Sequence, residues 1–228
     1  MNTIVTTEDE KRVKAMGFLR NRGTDNFSGR VITVNGMINA AQQKCIGEAA
    51  EIYGNGNVCF TSRLTIEVQG IPYDKIPDFQ QYIKKENLVT GGTGAKVRPV
   101  VSCKGPTCQY GLIDPFHLSE KIHKHFFEGY SQVQLPHKFK IAVGGCPNSC
   151  VKPDLNDVGI VGQRRPVVDE SLCKGCKRCT VQQACPMGAA SVTENLVSID
   201  PEICNNCGRC LSKCVFHAFE NFTSGYQI

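Results

Sequence analysis

The arrangement of cysteines constrains this chain of 228 residues more than any other feature. It carries fourteen, and twelve of them fall between Cys103 and Cys214. One set is split into two pairs, Cys103-x4-Cys108 and Cys146-x3-Cys150. The others are Cys173-x2-Cys176-x2-Cys179-x5-Cys185-Pro186 and Cys204-x2-Cys207-x2-Cys210-x3-Cys214. The N-terminal stretch Met1 to Lys14 is polar and mixed in charge, with no apolar leader. Clustered thiols in such a chain point to metal rather than to disulfides. Two-residue spacing lets neighbouring thiolates converge on adjacent irons, so interleaved triplets suit cuboidal [4Fe–4S] clusters. Zinc is the competing reading, but C-x2-C knuckles would supply it with two pairs rather than two triplets. Cys45 and Cys59 stand alone and read as small apolar residues of a core.

Composition narrows the class further. With 41% hydrophobic residues a core can form, and no apolar run is long enough to span a membrane. The formal net charge of +5 is offset by any thiolate-ligated clusters, and the basic residues are scattered rather than blocked. This argues against a nucleic-acid partner. A cytoplasmic protein with no membrane partner is expected.

The spacing of apolar residues predicts an α+β organisation. A helix begins at Thr7, with Glu10 at capping-box distance and Val13, Met16 and Phe18–Leu19 on its apolar side, and a turn at Asn21–Asn26 ends it. Arg30–Val34 reads as a strand. Asn39–Tyr53 reads as a helix through Ala41, Cys45, Ala49 and Ile52, with Gly54 as its cap. Val58–Gln69 alternates as one β run, and Tyr73–Lys85 is a helix burying Ile76, Phe79 and Ile83. Gly91, Gly92 and Gly94 form a flexible link. Strands at Val97–Val101 and Phe139–Val143 run into Cys103 and Cys146, and Phe116–Glu128 is helical. If those two strands share a sheet, their end loops meet, and four thiolates can surround one further cluster. His123-Lys124-His125 reads as a wet helix face, and Asn148 as a turn former as readily as a site residue.

The segment from about Val167 to Phe222 is an internal duplication, each half a cysteine-rich loop leading into a short helix. It resembles the bacterial two-cluster ferredoxin, in which the fourth cysteine of each run ligates the other cluster. The resemblance therefore implies one cluster on Cys173, Cys176, Cys179 and Cys214, and another on Cys204, Cys207, Cys210 and Cys185. Five residues rather than three separate Cys179 from Cys185, which lengthens a loop without changing the ligand count.

Four further segments resemble the nitrite/sulfite reductase family of sirohaem enzymes, of the anaerobic or assimilatory sulfite reductase type. Thr61-Ser62-Arg63-Leu64-Thr65-Ile66-Glu67 is similar to its first substrate-side strand. Val97-Arg98-Pro99-Val100-Val101-Ser102-Cys103 is similar to the strand before its first cluster cysteines. Leu135-Pro136-His137-Lys138-Phe139-Lys140-Ile141 resembles its paired-lysine segment. Gly145-Cys146-Pro147-Asn148-Ser149-Cys150, followed by Asp157-Val158-Gly159-Ile160, resembles its second cysteine motif. The resemblance implies a cluster on Cys103, Cys108, Cys146 and Cys150, with Cys150 also bridging to the sirohaem iron. It implies that Arg63, Arg98, Lys138 and Lys140 bind the anionic substrate and help to hold the cofactor. The chemistry agrees: a small oxyanion stripped of water needs charge-assisted donors, and Lys138 and Lys140, two apart, share one face of an extended chain.

The expected architecture is thus a ferredoxin-like nitrite/sulfite reductase half-domain (1–92), a sirohaem and [4Fe–4S] domain (93–165) and a two-cluster ferredoxin domain (166–228). The expected cofactors are three [4Fe–4S] clusters and sirohaem. The expected reaction is the six-electron reduction of sulfite or nitrite, fed by an electron donor protein or reductase subunit, in a homo- or hetero-oligomer. The alternative is a non-enzymatic iron–sulfur carrier without sirohaem. Tyr226–Ile228 reads as the opening of a strand, cut short where related chains return to the reductase core.

Overall fold

A computed structural model describes residues 5–228; the first four, where the polar N-terminal stretch begins, lie outside the described residues. The fold is α+β and forms two compact units. One comprises the chain up to Ser102 together with His117–Ala142, the other Cys103–Phe116 with Val143–Ile228.

In the first unit, helix α1 (Thr7–Ala15) is capped one residue earlier than the Thr7–Glu10 spacing suggests. Thr6 is extended, its Oγ1 accepts a hydrogen bond from the Asp9 backbone N–H at 3.1 Å, and its own backbone N–H donates in return to the Asp9 carboxylate at 3.2 Å. Gly17, at φ +103°, stops the helix, and a Cβ there would collide with the Gly91 backbone. Phe18–Leu19 therefore leave the helix and start strand β1 (Phe18–Arg20), and the Asn21–Asn26 turn joins two strands instead of ending a helix. Strand β2 (Asn26–Val31) pairs antiparallel with β1 and ends earlier than expected. Helix α2 (Ala40–Tyr53) has the capping box Asn39–Gln42. It buries Cys45, Ile46, Ala49 and Ala50, while Ile52 faces solvent.

The apolar alternation from Val58 to Gln69 breaks into two strands, β3 (Val58–Phe60) and β4 (Ile66–Pro72), paired antiparallel. Between them the Thr61–Thr65 loop closes through Thr61 N–H to the Thr65 carbonyl at 2.9 Å, with Leu64 left-handed at φ +57°. Arg63 thus sits in a hairpin loop, not in a strand. The sheet order is β1–β2–β4–β3. Helix α3 (Ile76–Ile83) buries Ile76, Phe79 and Ile83 as its spacing predicts. The glycine segment is not a loose link: the Gly91 N–H donates to the Arg30 carbonyl at 3.0 Å, and the Ile32 N–H to the Val89 carbonyl at 2.9 Å.

Strand β5 (Val101–Ser102) is followed along the chain by helix α4 (Pro115–Ile122), which continues into a π-helical turn, His123–Glu128. His123 is buried at 3% exposure, 4.6 Å from the Phe127 ring, so only Lys124 and His125 form the wet face. Burial lowers the His123 pKa from its ordinary 6.5, with the Glu128 and Glu120 carboxylates opposing. The unfolded chain therefore takes up this proton at a higher pH than the folded one does. Stability is full above about pH 6.5 and falls as the pH drops from there through the folded value. Urea titrations between pH 7.5 and 5 are expected to show that loss, and His123→Phe is expected to flatten it.

In the second unit the chain enters along β6 (Ile141–Gly144), and β7 (Val158–Pro166) lies beside it. Helix α5 (Thr180–Ala184) follows the first cysteine triplet, and β8 (Ala190–Thr193) and β9 (Leu196–Ile199) form a hairpin. After Cys210 the described chain makes turns in place of the second short helix that the duplication predicts. Strand β10 (Phe222–Gln227) pairs antiparallel with β7, from Phe222 opposite Pro166 to Gln227 opposite Val161. The strand read at Tyr226 thus begins at Phe222. The core beneath the eight C-terminal cysteines is small, centred on Val181, Ala190, Val197, Ala218 and Phe219, with Cys173, Cys179, Cys185, Cys210 and Cys214 packed into it. So few buried side chains hold a segment of this length weakly, unless a bound group adds to the folding energy.

Candidate iron–sulfur and oxyanion sites

Cys103 and Cys146 converge because of the strands that precede them. The Cys103 N–H donates to the Val143 carbonyl at 3.1 Å, and the Gly145 N–H donates to the Cys103 Sγ at 3.2 Å. Burial pushes the Cys146 thiol up; the Asn148 N–H opposes, and negative charge on Cys103, Cys108 or Cys150 raises it further. The other three thiols of the set therefore lie within electrostatic reach of Cys146. Cys150 is the exposed member; the other three are half-buried.

The C-terminal cysteines show the same grouping. Burial pushes the Cys210 thiol up to about 11, and its thiol neighbours are Cys207, Cys204 and Cys185. For Cys185 burial alone would raise the pKa, but the backbone N–H groups of Met187, Gly188, Ala189 and Ala190 bring it below the usual thiol value. A nest of N–H donors around one sulfur stabilises a thiolate and suits the sulfur-rich face of a cluster. In the first triplet, Gly175 takes φ +55°, and a Cβ there would meet the Asn195 carbonyl. Among the described residues, no three His, Cys, Asp or Glu side chains are placed to hold a single metal ion.

The basic candidates all lie in the first unit. The Arg63 Nη2 donates to the carbonyls of Pro99 at 2.8 Å and Ile141 at 3.3 Å. Val97 and Phe139 form a parallel bridge, and the Arg98 N–H donates to the Phe139 carbonyl at 2.8 Å. Phe139 is thereby held extended, so Lys138 and Lys140 flank it on its opposite face. Lys138 is exposed and Lys140 half-buried. Burial, and then the nearby charge of Arg30, lowers the pKa of the Arg98 guanidinium. Its Nη1 donates to the Gly92 carbonyl, and its buried Nε has no hydrogen-bond partner among the described residues.

Arg30 was not among the sequence candidates. Its Nη1 shares the Gly92 carbonyl at 3.2 Å, and its Nη2 pairs with the Glu67 carboxylate at 2.5 Å. Arg30 and Glu67 face each other across β2 and β4. Their strand register carries that signal, and register is not written in either segment alone. Two guanidiniums thus meet on one carbonyl, and one of them keeps a buried N–H of the kind that binds an oxyanion or a carboxylate.

The fold and these thiol sets mark an iron–sulfur protein. The chain belongs to the nitrite/sulfite reductase family. Residues 93–222 match the nitrite and sulphite reductase 4Fe-4S domain, and residues 20–86 match the nitrite/sulfite reductase ferredoxin-like half domain. Over 150 residues it is 37% identical to the coenzyme F420-dependent sulfite reductase of Methanocaldococcus jannaschii, covering 65% of this chain and 23% of that protein. Over 147 residues it is 26% identical to one of the subunits of the anaerobic sulfite reductase of Salmonella typhimurium, covering 58% of this chain and 42% of that one. The chain thus spans less than half the length of these two relatives. A crystal structure of dissimilatory sulfite reductase I shares the fold at a TM-score of 0.64 and 18% identity, covering 89% of this chain and 54% of that one. No helix among the described residues is long and apolar enough to cross a membrane.

Proposed function

We propose that this chain serves the sirohaem-dependent reduction of sulfite, or of nitrite, by six electrons delivered through three [4Fe–4S] clusters. The observation that carries this reading is the convergence of the Cys103 sulfur on the Gly145–Cys146 loop, with Cys108 and Cys150 within electrostatic reach of Cys146, inside the matched 4Fe-4S domain. The reading divides the chain into a ferredoxin-like half-domain (1–92), a sirohaem and cluster domain (93–165) and a two-cluster ferredoxin domain (166–228). The N–H nest at Cys185 and the sparse core around the C-terminal cysteines support the last of these.

Sirohaem is rich in carboxylates, and the residues present fit such a group. Arg98 offers a buried Nε with no partner among the described residues, and Arg30 stands beside it. Cys150, the exposed thiol of its set, is the residue that would bridge to the iron. When bound, sirohaem supplies the iron on which the oxyanion is reduced. Arg63, Arg98, Lys138 and Lys140 would bind the substrate's oxygens, neutralise its charge and hold protons near them. The electrons come from a donor protein or a reductase subunit, and sulfite is favoured over nitrite by the similarity to sulfite reductases.

The test is anaerobic purification with iron, sulfide and sirohaem supplied, followed by an absorption spectrum and by viologen oxidation on adding sulfite or nitrite. A tetrapyrrole band together with sulfite-dependent oxidation is expected. Clusters without any tetrapyrrole would replace this reading with that of a non-enzymatic electron carrier.

A further inference from the structure

Three cysteine loops of the second unit are joined through one side chain. Arg209 lies between Cys207 and Cys210. Its Nη2 donates to the Oδ1 of Asn148, which lies between Cys146 and Cys150, at 3.1 Å. Its guanidinium also stands over the ring of Tyr110, two residues after Cys108, at 5.7 Å. The backbone secures the same loop on β7: the Arg164 N–H donates to the Asn206 carbonyl at 2.8 Å, and Arg164 bridges to Cys207. The Asn206 Nδ2 donates to the Gln163 Oε1 at 3.3 Å. The first triplet makes different contacts. Gly175 packs on the Asn195 carbonyl, and Thr180 donates to the carbonyl of Lys213.

We propose that Arg209 is a positioning residue that seats the cluster of Cys204, Cys207, Cys210 and Cys185 against the cluster of Cys103, Cys108, Cys146 and Cys150. This makes it the inner of the two C-terminal clusters, next to the middle cluster on Cys103, Cys108, Cys146 and Cys150, and leaves the cluster of Cys173, Cys176, Cys179 and Cys214 as the outer one. The inference rests on the cluster reading above and adds an order to it. Each transfer moves one electron: iron in the inner cluster is oxidised, iron in the middle cluster is reduced, and no bond forms or breaks. The reductant is a low-potential one-electron donor. An exposed hydrogen bond of this kind adds little to folding. Its effect lies in fixing the spacing and orientation of two loops whose metal centres must exchange electrons.

The experiment uses the full chain purified without oxygen, with iron and acid-labile sulfide counted in every preparation. EPR of the dithionite-reduced protein reads spin coupling between the inner and middle clusters. Rapid-freeze EPR after mixing with reduced viologen reads transfer to the middle cluster. In Arg209→Ala, iron and sulfide are expected to match the parent, the coupling to weaken, and transfer to slow about tenfold, as loss of an outer contact to a metal site does. Arg209→Lys, which keeps a cationic donor, is expected to recover part of the rate. Parent-like coupling and rate in Arg209→Ala overturn the proposal. If that variant loses iron, Asn148→Ala decides, because it removes the acceptor from outside the Cys204–Cys210 loop; parent-like coupling there overturns the proposal equally. A parent protein without clusters would be seen in the iron count and would remove the cluster reading itself.

Discussion

Cys185→Ser is expected to abolish the same cluster that Cys204→Ser abolishes, and to spare the one that Cys214→Ser abolishes. By sequence position alone Cys185 belongs with Cys173, Cys176 and Cys179. The thiols around Cys210 are nevertheless Cys207, Cys204 and Cys185. In the proposed two-cluster reading the crossing follows from the duplication: each triplet loop would be closed by the residue that ends the other half. Serine keeps the size of the side chain and removes the soft sulfur ligand. It also wastes the nest of N–H groups at Met187, Gly188, Ala189 and Ala190, which favours a thiolate. Each single variant should lose about one third of the iron and sulfide, because one cubane of three is lost. EPR of the reduced protein should show the same surviving signals in Cys185→Ser and Cys204→Ser, and a different set in Cys214→Ser. If Cys185→Ser and Cys173→Ser instead leave identical spectra, ligation is uncrossed and the ferredoxin reading of residues 166–228 falls.

The cysteine spacings were legible because the chemistry that needs them is local: two residues between thiols is a property of a loop. Helix α2 was legible for the same reason, its Asn39–Gln42 box and its terminal Gly54 being near neighbours in the chain. What was hidden depends on partners distant in sequence. Leu64 continues the alternation of Ile66 and Val68, and that pattern gives no hint that it takes a left-handed conformation in a hairpin loop. Arg63 went with it, from an expected strand into a loop. Phe18 fits a helical stripe after Val13, but Gly17 must lie against Gly91, a contact no local rule supplies. His123, in a run of polar residues, reads as solvated until the Phe127 ring covers it. Arg30, Asn148 and Arg209 are ordinary surface residues by type. Only the register of β2 on β4, and the docking of one cysteine loop on another, give them partners.

Phe79→Ala is expected to be the most damaging single change in the first unit. Its side chain is fully buried, and two rings meet it edge to face, Phe18 at 6.0 Å and Tyr53 at 6.4 Å. These contacts tie β1, α2 and α3 together, so the cavity left behind is walled by three elements that cannot all collapse into it. Truncating a core phenylalanine costs about 3–5 kcal/mol. A whole domain holds only about 5–15 kcal/mol against unfolding. Urea unfolding followed by circular dichroism should show the midpoint falling at little change in slope, or a unit already unfolded without denaturant. The matched control is Phe60→Ala, the same loss of atoms from a ring 78% exposed at the end of β3, expected to change stability by less than about 0.5 kcal/mol. A large loss at Phe60 with little at Phe79 would mean that the helical spacing of Ile76, Phe79 and Ile83 does not mark the buried face. The placement of α3 on the β1–β2–β4–β3 sheet depends on that face, and so does the hairpin that carries Arg63.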